Sequence, residues 1–596
     1  MNTLIETNQA GYGIGYFFAR FIAGQAGVEA DGILTRTAGW LAEIHSAGDI
    51  CLDLGAHAAG PWPDHEGVTP GLEEWKALLL DSDCAGEPGD VAPMIVDGNR
   101  LYLKRLRDYE CAVAAGITMR LQQPLVMHEG QLREGLQRLF KDSTDVPDWQ
   151  MLAAAQAVTR RFCVISGGPG TGKTTSLVKV LALLLQQQPA MRIRLAAPTG
   201  KAAARMVESI RASIRRINCD EAVQRLIPEQ ASTLHRLLGY SSRGYRHDSN
   251  HPLLIDCLVV DEASMLDLPM AARLLAALPE QCRLILLGDR DQLASVDAGN
   301  VLGDITGHGH AIAYSSATAA RFSGLSGYAA ASLPVASAAP AISDAVALLR
   351  KSYRFHGDSG IARLARMVNQ GEGEAVIDLL SSHAQPDLTW LQHMDATALL
   401  NQISLAYTPY LQCRNVDKAL QAFEQVRVLC AVHAGPSGTH ALNAGLARLF
   451  YAQGLTGGLE AAHGIPVMIT ANHYDLGLFN GDVGLLWDVD GRLCAWFRQT
   501  DGMLQGVPVQ LLPEYGPAWA ITAHKSQGSE FDRVMLLLPD QAADHPLLSR
   551  ELLYTAITRA KEQFTMYADE SVLRRMIARR LSRSTGLAAR LGWPES

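Results

Sequence analysis

No C-x-x-C pair occurs in this 596-residue chain, although it holds ten cysteines. They stand singly at 51, 84, 111, 163, 219, 257, 282, 413, 430 and 494, which argues against a zinc ribbon or an iron–sulfur cluster. The pattern fits free thiols in a reducing cytoplasm. No run of about 18 uncharged apolar residues is present, so no membrane-spanning helix is expected. The opening MNTLIETNQAGYGIGYFFARFIAG lacks a basic start, and glycines and Arg20 break its apolar patch, so it is not expected to be a secretory signal. An overall basic footprint is missing too. A net charge of −9 weighs mildly against a free-standing nucleic-acid coat, but it permits a strand held in a local cleft. No repeat of short fixed period is found, and no convincing nuclease metal cluster. WDVDGRL (487–493) has the acids of a calcium loop but not its glycine and glutamate positions, and Asp490-Gly491 predicts a β-hairpin.

What is present is ample apolar content, 48% of residues, in a chain long enough for about three to five domains. Residues 1–125 show mixed helical patterning and a Pro/Gly-rich loop at 60–71, with no catalytic motif. After VPDWQ (146–150) short apolar runs alternate with helical patterns: FCVIS, IRLAAP (193–198), CLVVDEAS (257–264) and LILLGD (284–289). Near-continuous apolar strands with motifs at their C-terminal ends predict a parallel α/β sheet. A second set begins with VRVLCAV (426–432) and VMLLL (534–538), giving two α/β lobes. Between them, Ala, Ser and Gly make up 24 of the 41 residues 306–346, which reads as an insertion or mobile connector, with Ala-rich helix as the alternative. LRRMIARRLSRSTGLAARLG (573–592) carries six arginines and no acid. A solvated helix face, or a DNA or subunit contact, is expected there.

VISGGPGTGKTTSLV (164–178) satisfies G-x-x-x-x-G-K-[ST] after an apolar strand and before an apolar helix. Such a loop wraps phosphates with backbone N–H groups and adds the positive end of a helix. Gly167, Gly168, Pro169, Gly170, Thr171, Gly172, Lys173, Thr174 and Thr175 are the candidate nucleotide contacts. Lys173 offers charge to the β- and γ-phosphates, and the Thr174 hydroxyl is a magnesium ligand. Asp261 ends a buried strand, 88 residues after Lys173, where it can hold the same ion. Glu262 is then placed to activate the attacking water. Gln292 in LGDRDQL (287–293) is a candidate sensor of the γ-phosphate or its water.

GGPGTGKTT, APTGKAAARM, STLHRLL, DEASMLD, GDRDQL, KSYRF, AITAHKSQGSEFD and YTAITRAKE stand in an order that resembles the motifs of superfamily 1 helicases. The resemblance covers about residues 146–570 and is closest to the RecD family, the alpha subunits of exodeoxyribonuclease V. RLYLKRLRDYE (100–110) also resembles that family's N-terminal region. It implies an α/β fold of two RecA-like P-loop NTPase lobes with parallel sheets, a mainly helical N-terminal docking domain, and a small β-rich insertion in the second lobe. The expected bounds are 1–125 for the docking domain, 126–347 for the first lobe including 306–346, and 348–596 for the second lobe with its insertion around 435–515.

The resemblance further implies Arg354 and Arg559 as arginine fingers and Gln150 as the adenine-reading glutamine, with Gln156 close by. Thr199, Lys201, Thr233, Thr522 and His524 are the implied DNA contacts. Glu530 joins them as the match to the family's ribose-contacting acid. ATP and Mg2+ are the implied cofactors. Single-stranded DNA at duplex ends and the RecB and RecC subunits are the implied partners. The implied activity is an ATP-dependent 5′→3′ DNA helicase in double-strand break repair. A stand-alone helicase of the same superfamily, acting on DNA or RNA, is the alternative.

Overall fold

The computed structural model describes residues 13–594 apart from 30, 124, 142–146, 296, 354–358, 394, 500–501, 540–544 and 546. Two parallel sheets dominate it. In the first lobe six strands stand in the order Val346–Leu349, Phe162–Gly167, Arg283–Gly288, Cys257–Val260, Ile193–Ala197 and Ala231–Thr233. In the second lobe the order is Leu388–Leu391, Ala560–Tyr567, Phe531–Leu537, Val426–Cys430 and Ala520–Thr522. Every neighbouring pair in both sheets is parallel. Strands Phe162–Gly167, Cys257–Val260, Arg283–Gly288 and Val426–Cys430 are buried along their whole length, which is why their sequences are mostly apolar. No helix among the described residues is long and apolar enough to cross a membrane.

The second-lobe insertion is a five-stranded antiparallel sheet spanning Pro466–Ile469 to Tyr515–Pro517. Its hairpin joins Val483–Val489 to Arg492–Arg498, and Asp490 and Gly491 both take positive φ, 52° and 77°, as the Asp-Gly turn requires. The insertion starts later than the expected 435. Helix Thr439–Ala452 belongs to the lobe itself, packing Leu442, Leu446 and Phe450 into its core. Its Asn443 side chain exchanges two 2.9 Å hydrogen bonds with the backbone of Ala520.

The N-terminal region is not only helical. A four-stranded sheet, ordered Cys51–Asp53, Arg100–Leu103, Met94–Asp97, Ala85–Gly86, lies with helices Ile14–Ala26, Ile33–Ser46 and Leu72–Leu80. Its boundary falls near residue 103 rather than 125. Helix Lys104–Gln122 buries Leu106, Val113 and Ile117 in the core of the first lobe against helix Leu268–Ala277. The buried Arg120 at its end donates to the carbonyls of Cys282 and Pro279 at 3.2 and 3.0 Å.

Two expectations drawn from composition are resolved. Of the alternatives for residues 306–346, the Ala-rich helix is present and the loose connector is not. Helix Ser316–Ser326, capped by the Ser315 hydroxyl, packs onto the first lobe, and Tyr314, Phe322, Leu325, Leu333 and Ile342 are core residues. Asp344 closes the excursion by accepting from the Ser315 backbone and hydroxyl at 2.8 and 2.7 Å. In the Arg-rich terminus Arg575, Arg579 and Arg580 are exposed, as expected of a solvated face, whereas Arg583 and Arg590 are bound within the protein. Helix Glu570–Ala578 buries Val572, Leu573, Met576 and Ile577 in the second lobe, and the chain then crosses back to the first. There Arg590 pairs with Asp97 at 2.6 Å and with the fully buried Glu110 at 2.8 Å, and Trp593 donates to the Ile305 carbonyl.

Candidate active site

The phosphate loop follows strand Phe162–Gly167 and opens helix Lys173–Gln187. Gly170 and Gly172 hold φ of 74° and 79°, a backbone that side chains resist, and a Cβ on Gly172 would collide with the Gln150 amide. Gln150 donates to the Thr171 carbonyl at 2.9 Å, so it stands beside the loop. Gln156 is turned away, fully buried and bonded to the Asp344 carbonyl. Lys173 Nζ lies against the carbonyls of Gly167 and Gly168, the latter at 3.2 Å. Its ammonium is thus at the loop and not in the core.

Two strand ends on the same side of the sheet bring acids whose charge that ammonium feels, the adjacent Arg283–Gly288 and, one strand further, Cys257–Val260. Asp261 leaves strand Cys257–Val260, and burial together with the adjacent Glu262 pushes its carboxyl up to about 6, against the pull of Lys173. Glu262 occupies the left-handed region at φ 52°, a strained backbone that sets its side chain apart from the strand direction. Asp289, which the sequence reading passed over, ends strand Arg283–Gly288. Burial raises it while Lys173 opposes. Its Oδ2 accepts from Gln292 Nε2 at 3.0 Å and from the Tyr554 hydroxyl of the second lobe at 3.1 Å. The only signal for it was the Gly-Asp at a strand end, shared with any loop.

The second lobe meets this face directly. Leu293 N–H donates to Thr555 Oγ1 at 2.9 Å, and Gln527 Nε2 donates to the Leu293 carbonyl at 2.9 Å. Arg559 is 2% exposed and held by the carbonyls of Thr555 and Ser529 at 3.1 and 3.0 Å. Burial pulls its guanidinium down, and the charges of Glu262 and Glu530 oppose this. Arg354 lies outside the described residues. The residues just before it reach the phosphate loop: Tyr353 N–H donates to Gly170 at 2.7 Å and the Ser352 hydroxyl to Pro169 at 3.2 Å.

The expected nucleic-acid contacts divide. Thr199 and Thr233 cap helices Gly200–Ile214 and Leu234–Leu237, their hydroxyls accepting from Ala202 and Arg236 at 3.2 Å. His524 is partly buried, and burial lowers its imidazole's pKa. Three residues depart from expectation. Thr522 is only 4% exposed, inside strand Ala520–Thr522, so it presents no open grip in this arrangement. Burial and Arg427 push the Lys201 ammonium down to about 8, with Asp482 of the insertion as the strongest charge opposing them. Glu530 is tied across the cleft to Arg205 at 2.5 Å. Arg205 also donates to the Gly528 carbonyl at 3.0 Å, an interlobe clasp between APTGKAAARM and AITAHKSQGSEFD.

Three family models match: "AAA domain" over 150–298, "UvrD-like helicase C-terminal domain" over 517–567, and "RecBCD enzyme subunit RecD, N-terminal domain" over 13–102. The chain is 34% identical to the RecBCD enzyme subunit RecD of Haemophilus influenzae over 554 residues, covering 87% of this chain and 84% of that one. It is 34% identical to the RecBCD enzyme subunit RecD of Mycolicibacterium smegmatis over 566 residues, 91% of each. Similarity to the ATP-dependent RecD2 DNA helicase of Deinococcus radiodurans is 32% over 445 residues, 73% of this chain and 51% of that one.

Proposed function

Because this chain belongs to the RecD family, we propose that it is the ATP-dependent 5′→3′ DNA helicase subunit of a RecBCD helicase–nuclease, acting in the cytoplasm at double-strand breaks. The observation that carries the reading is the Gly-rich loop with Lys173 on it, beside the strand ends that carry Asp261, Glu262 and Asp289, and bridged to the second lobe where the Tyr554 hydroxyl donates to Asp289 and Arg559 feels the charge of Glu262. An NTPase whose arginine comes from a second lobe completes its site only when the lobes are together. Hydrolysis is thereby coupled to their movement.

In this reading Thr174 and Asp261 hold a magnesium ion. Two adjacent half-buried carboxylates and a hydroxyl are hard oxygen donors, the kind of set that suits a magnesium ion. When bound, the ion neutralises charge on the β- and γ-phosphates. Lys173 binds the same oxygens, Glu262 takes the proton of the attacking water, Gln292 orients that water from Asp289, and Arg559 and Arg354 stabilise the transferring phosphoryl group. Thr199, Thr233 and His524 line the proposed strand path. Thr522 and Lys201 reach it only if the lobes and insertion shift.

Polarity is tested with tailed duplexes. The chain, at high concentration or with RecB and RecC, is expected to open a duplex bearing a 5′ single-stranded tail and to leave a 3′-tailed duplex largely intact. Preferential opening of the 3′-tailed substrate by the isolated chain contradicts the proposed direction while sparing the helicase. An equal rate on RNA would favour the stand-alone alternative.

Residues 13–103 form the proposed docking domain for the partner subunits. Helix Ile14–Ala26 supports this with an outward stripe of Ile14, Phe17 and Phe21, exposed by 56, 52 and 54%. The doubly substituted chain Phe17→Glu, Phe21→Glu is expected to lose co-purification with RecB and RecC and to keep its DNA-stimulated ATPase. Loss of ATPase with assembly retained would assign the helix to the motor instead.

A further inference from the structure

The chain that leaves helix Glu570–Ala578 binds both lobes within a few residues. Arg550 N–H donates to the Arg579 carbonyl at 2.9 Å, and Leu581 N–H to Glu551 Oε2 at 2.9 Å. Both partners lie in helix Arg550–Ile557, which carries Thr555 and leads into Arg559. Two residues later the chain is seated in the first lobe. Arg583 Nη1 donates to the carbonyls of Asp297 and Gly299 at 2.7 and 2.6 Å, and Nη2 to that of Ser295 at 2.7 Å. These carbonyls lie in the loop just beyond Gln292 and Leu293.

The seat is built for a guanidinium. Gly48 holds φ at 106°, and a Cβ there would stand 2.9 Å from the Arg583 guanidinium carbon. Only glycine permits both the backbone and the approach. Gly48 also accepts from Gly299 N–H at 2.9 Å, so one residue shapes the seat from two sides. The Ser584 and Thr585 anchors follow: Ser584 N–H donates to Asp49 Oδ1 at 2.6 Å, and the Thr585 hydroxyl donates to Asp304 Oδ2 at 3.1 Å. A planar fork satisfies three converging carbonyls at once, which the rotating ammonium of a lysine does less well.

Two residues of backbone span at most about 7 Å. Helix Arg550–Ile557 and the loop after Gln292 therefore cannot part far unless one anchor releases. We propose that Arg583 is a positioning residue for ATP hydrolysis: it ties the loop behind Gln292 to the helix that leads into Arg559, so that both side chains keep their register on the nucleotide while the rest of the lobes moves. The proposal rests on the reading of the cleft as an ATPase site.

A mere structural clasp would act through stability alone, and Arg590 supplies the comparison. It anchors the same tail to Asp97 and Glu110, on the side of the N-terminal domain. In the full chain, with its partner subunits where they co-purify, Arg583→Ala is expected to lower DNA-stimulated kcat about 10- to 100-fold. KM for ATP should stay within about twofold, the signature of an interaction made only on the way to the transition state. Arg583→Lys should recover part of the turnover. Arg590→Ala should lower Tm at least as much as Arg583→Ala while keeping kcat within about twofold. Should the alanine variant fail to fold, Arg583→Gln carries the same comparison. Unchanged kcat in the Arg583 variants, or kcat losses that follow Tm equally at both arginines, overturn the proposal. Lys173→Gln in the same assay separates the two readings, since its activity would remove the ATPase site whatever Arg583 does.

Discussion

Replacing Lys173 with glutamine is expected to abolish DNA-stimulated ATP hydrolysis while leaving the fold intact. The side chain sits on the phosphate loop, half-buried, with its ammonium on the carbonyls of Gly167 and Gly168. A glutamine amide donates to the same carbonyls, so the loop keeps its local bonds and loses only the charge. That charge serves two groups of partners. Toward the ligand it is the cation nearest the β- and γ-phosphates, and losing one preorganised donor of this kind costs about 10²- to 10³-fold in turnover. Toward the protein it opposes the upward push of burial on Asp261 and Asp289. Without it both carboxyls rise further and bind a cation less well at neutral pH. Tm should be close to that of the native chain, because no core contact is removed. Ordinary turnover in the variant would show that this loop is not the phosphate site.

The parts of the site that the sequence made legible are those a local pattern dictates. A Gly-rich turn between an apolar strand and an apolar helix has few other uses, and an acid after a buried strand must lie at the carboxyl edge of a parallel sheet. The positions of Lys173 and Asp261, at the helix start after one strand and at the end of another, follow from that pattern. What stayed hidden depends on contacts distant along the chain. Residues 306–346 look like a connector because Ala, Ser and Gly carry little apolar area each, yet Phe322 and Leu325 on one helix and Tyr314 just before it seat the segment in the core. Arginines near the C-terminus look solvated because a guanidinium that binds backbone carbonyls leaves no acid beside it in the sequence. Arg583 and its three carbonyls are nearly 290 residues apart, with a separation of 288 at Ser295. The burial of Thr522 was hidden for the opposite reason. Its position in a motif suggests a surface role, but strand pairing with Cys430 turns it into the sheet.

Arg559→Ala is expected to be the most damaging change outside the phosphate loop. The guanidinium is buried at the lobe interface, where water screens little, and its bonds to the carbonyls of Thr555 and Ser529 fix it before any nucleotide arrives. Glu262 and Glu530 supply the negative field that keeps it charged there. A positive group so held meets developing phosphoryl charge with no reorganisation, and arginines of this kind contribute about 10³- to 10⁵-fold in related NTPases. That corresponds to about 4–7 kcal/mol of transition-state stabilisation. The Thr555 carbonyl keeps the Thr558 hydroxyl at 3.0 Å, so the Ser529 carbonyl is the one that loses Arg559, lowering stability by about 1–3 kcal/mol at most. The kinetic loss therefore exceeds what partial unfolding could produce, and the two separate experimentally. Turnover at saturating ATP and single-stranded DNA should fall by at least about 10³-fold, while the Kd for nucleotide changes little. Arg559→Lys should rescue poorly, because an ammonium cannot span both carbonyls and still face Glu262. A variant with near-native turnover, or one whose nucleotide affinity falls as far as its turnover, would remove Arg559 from the reaction and leave it as an interlobe strut.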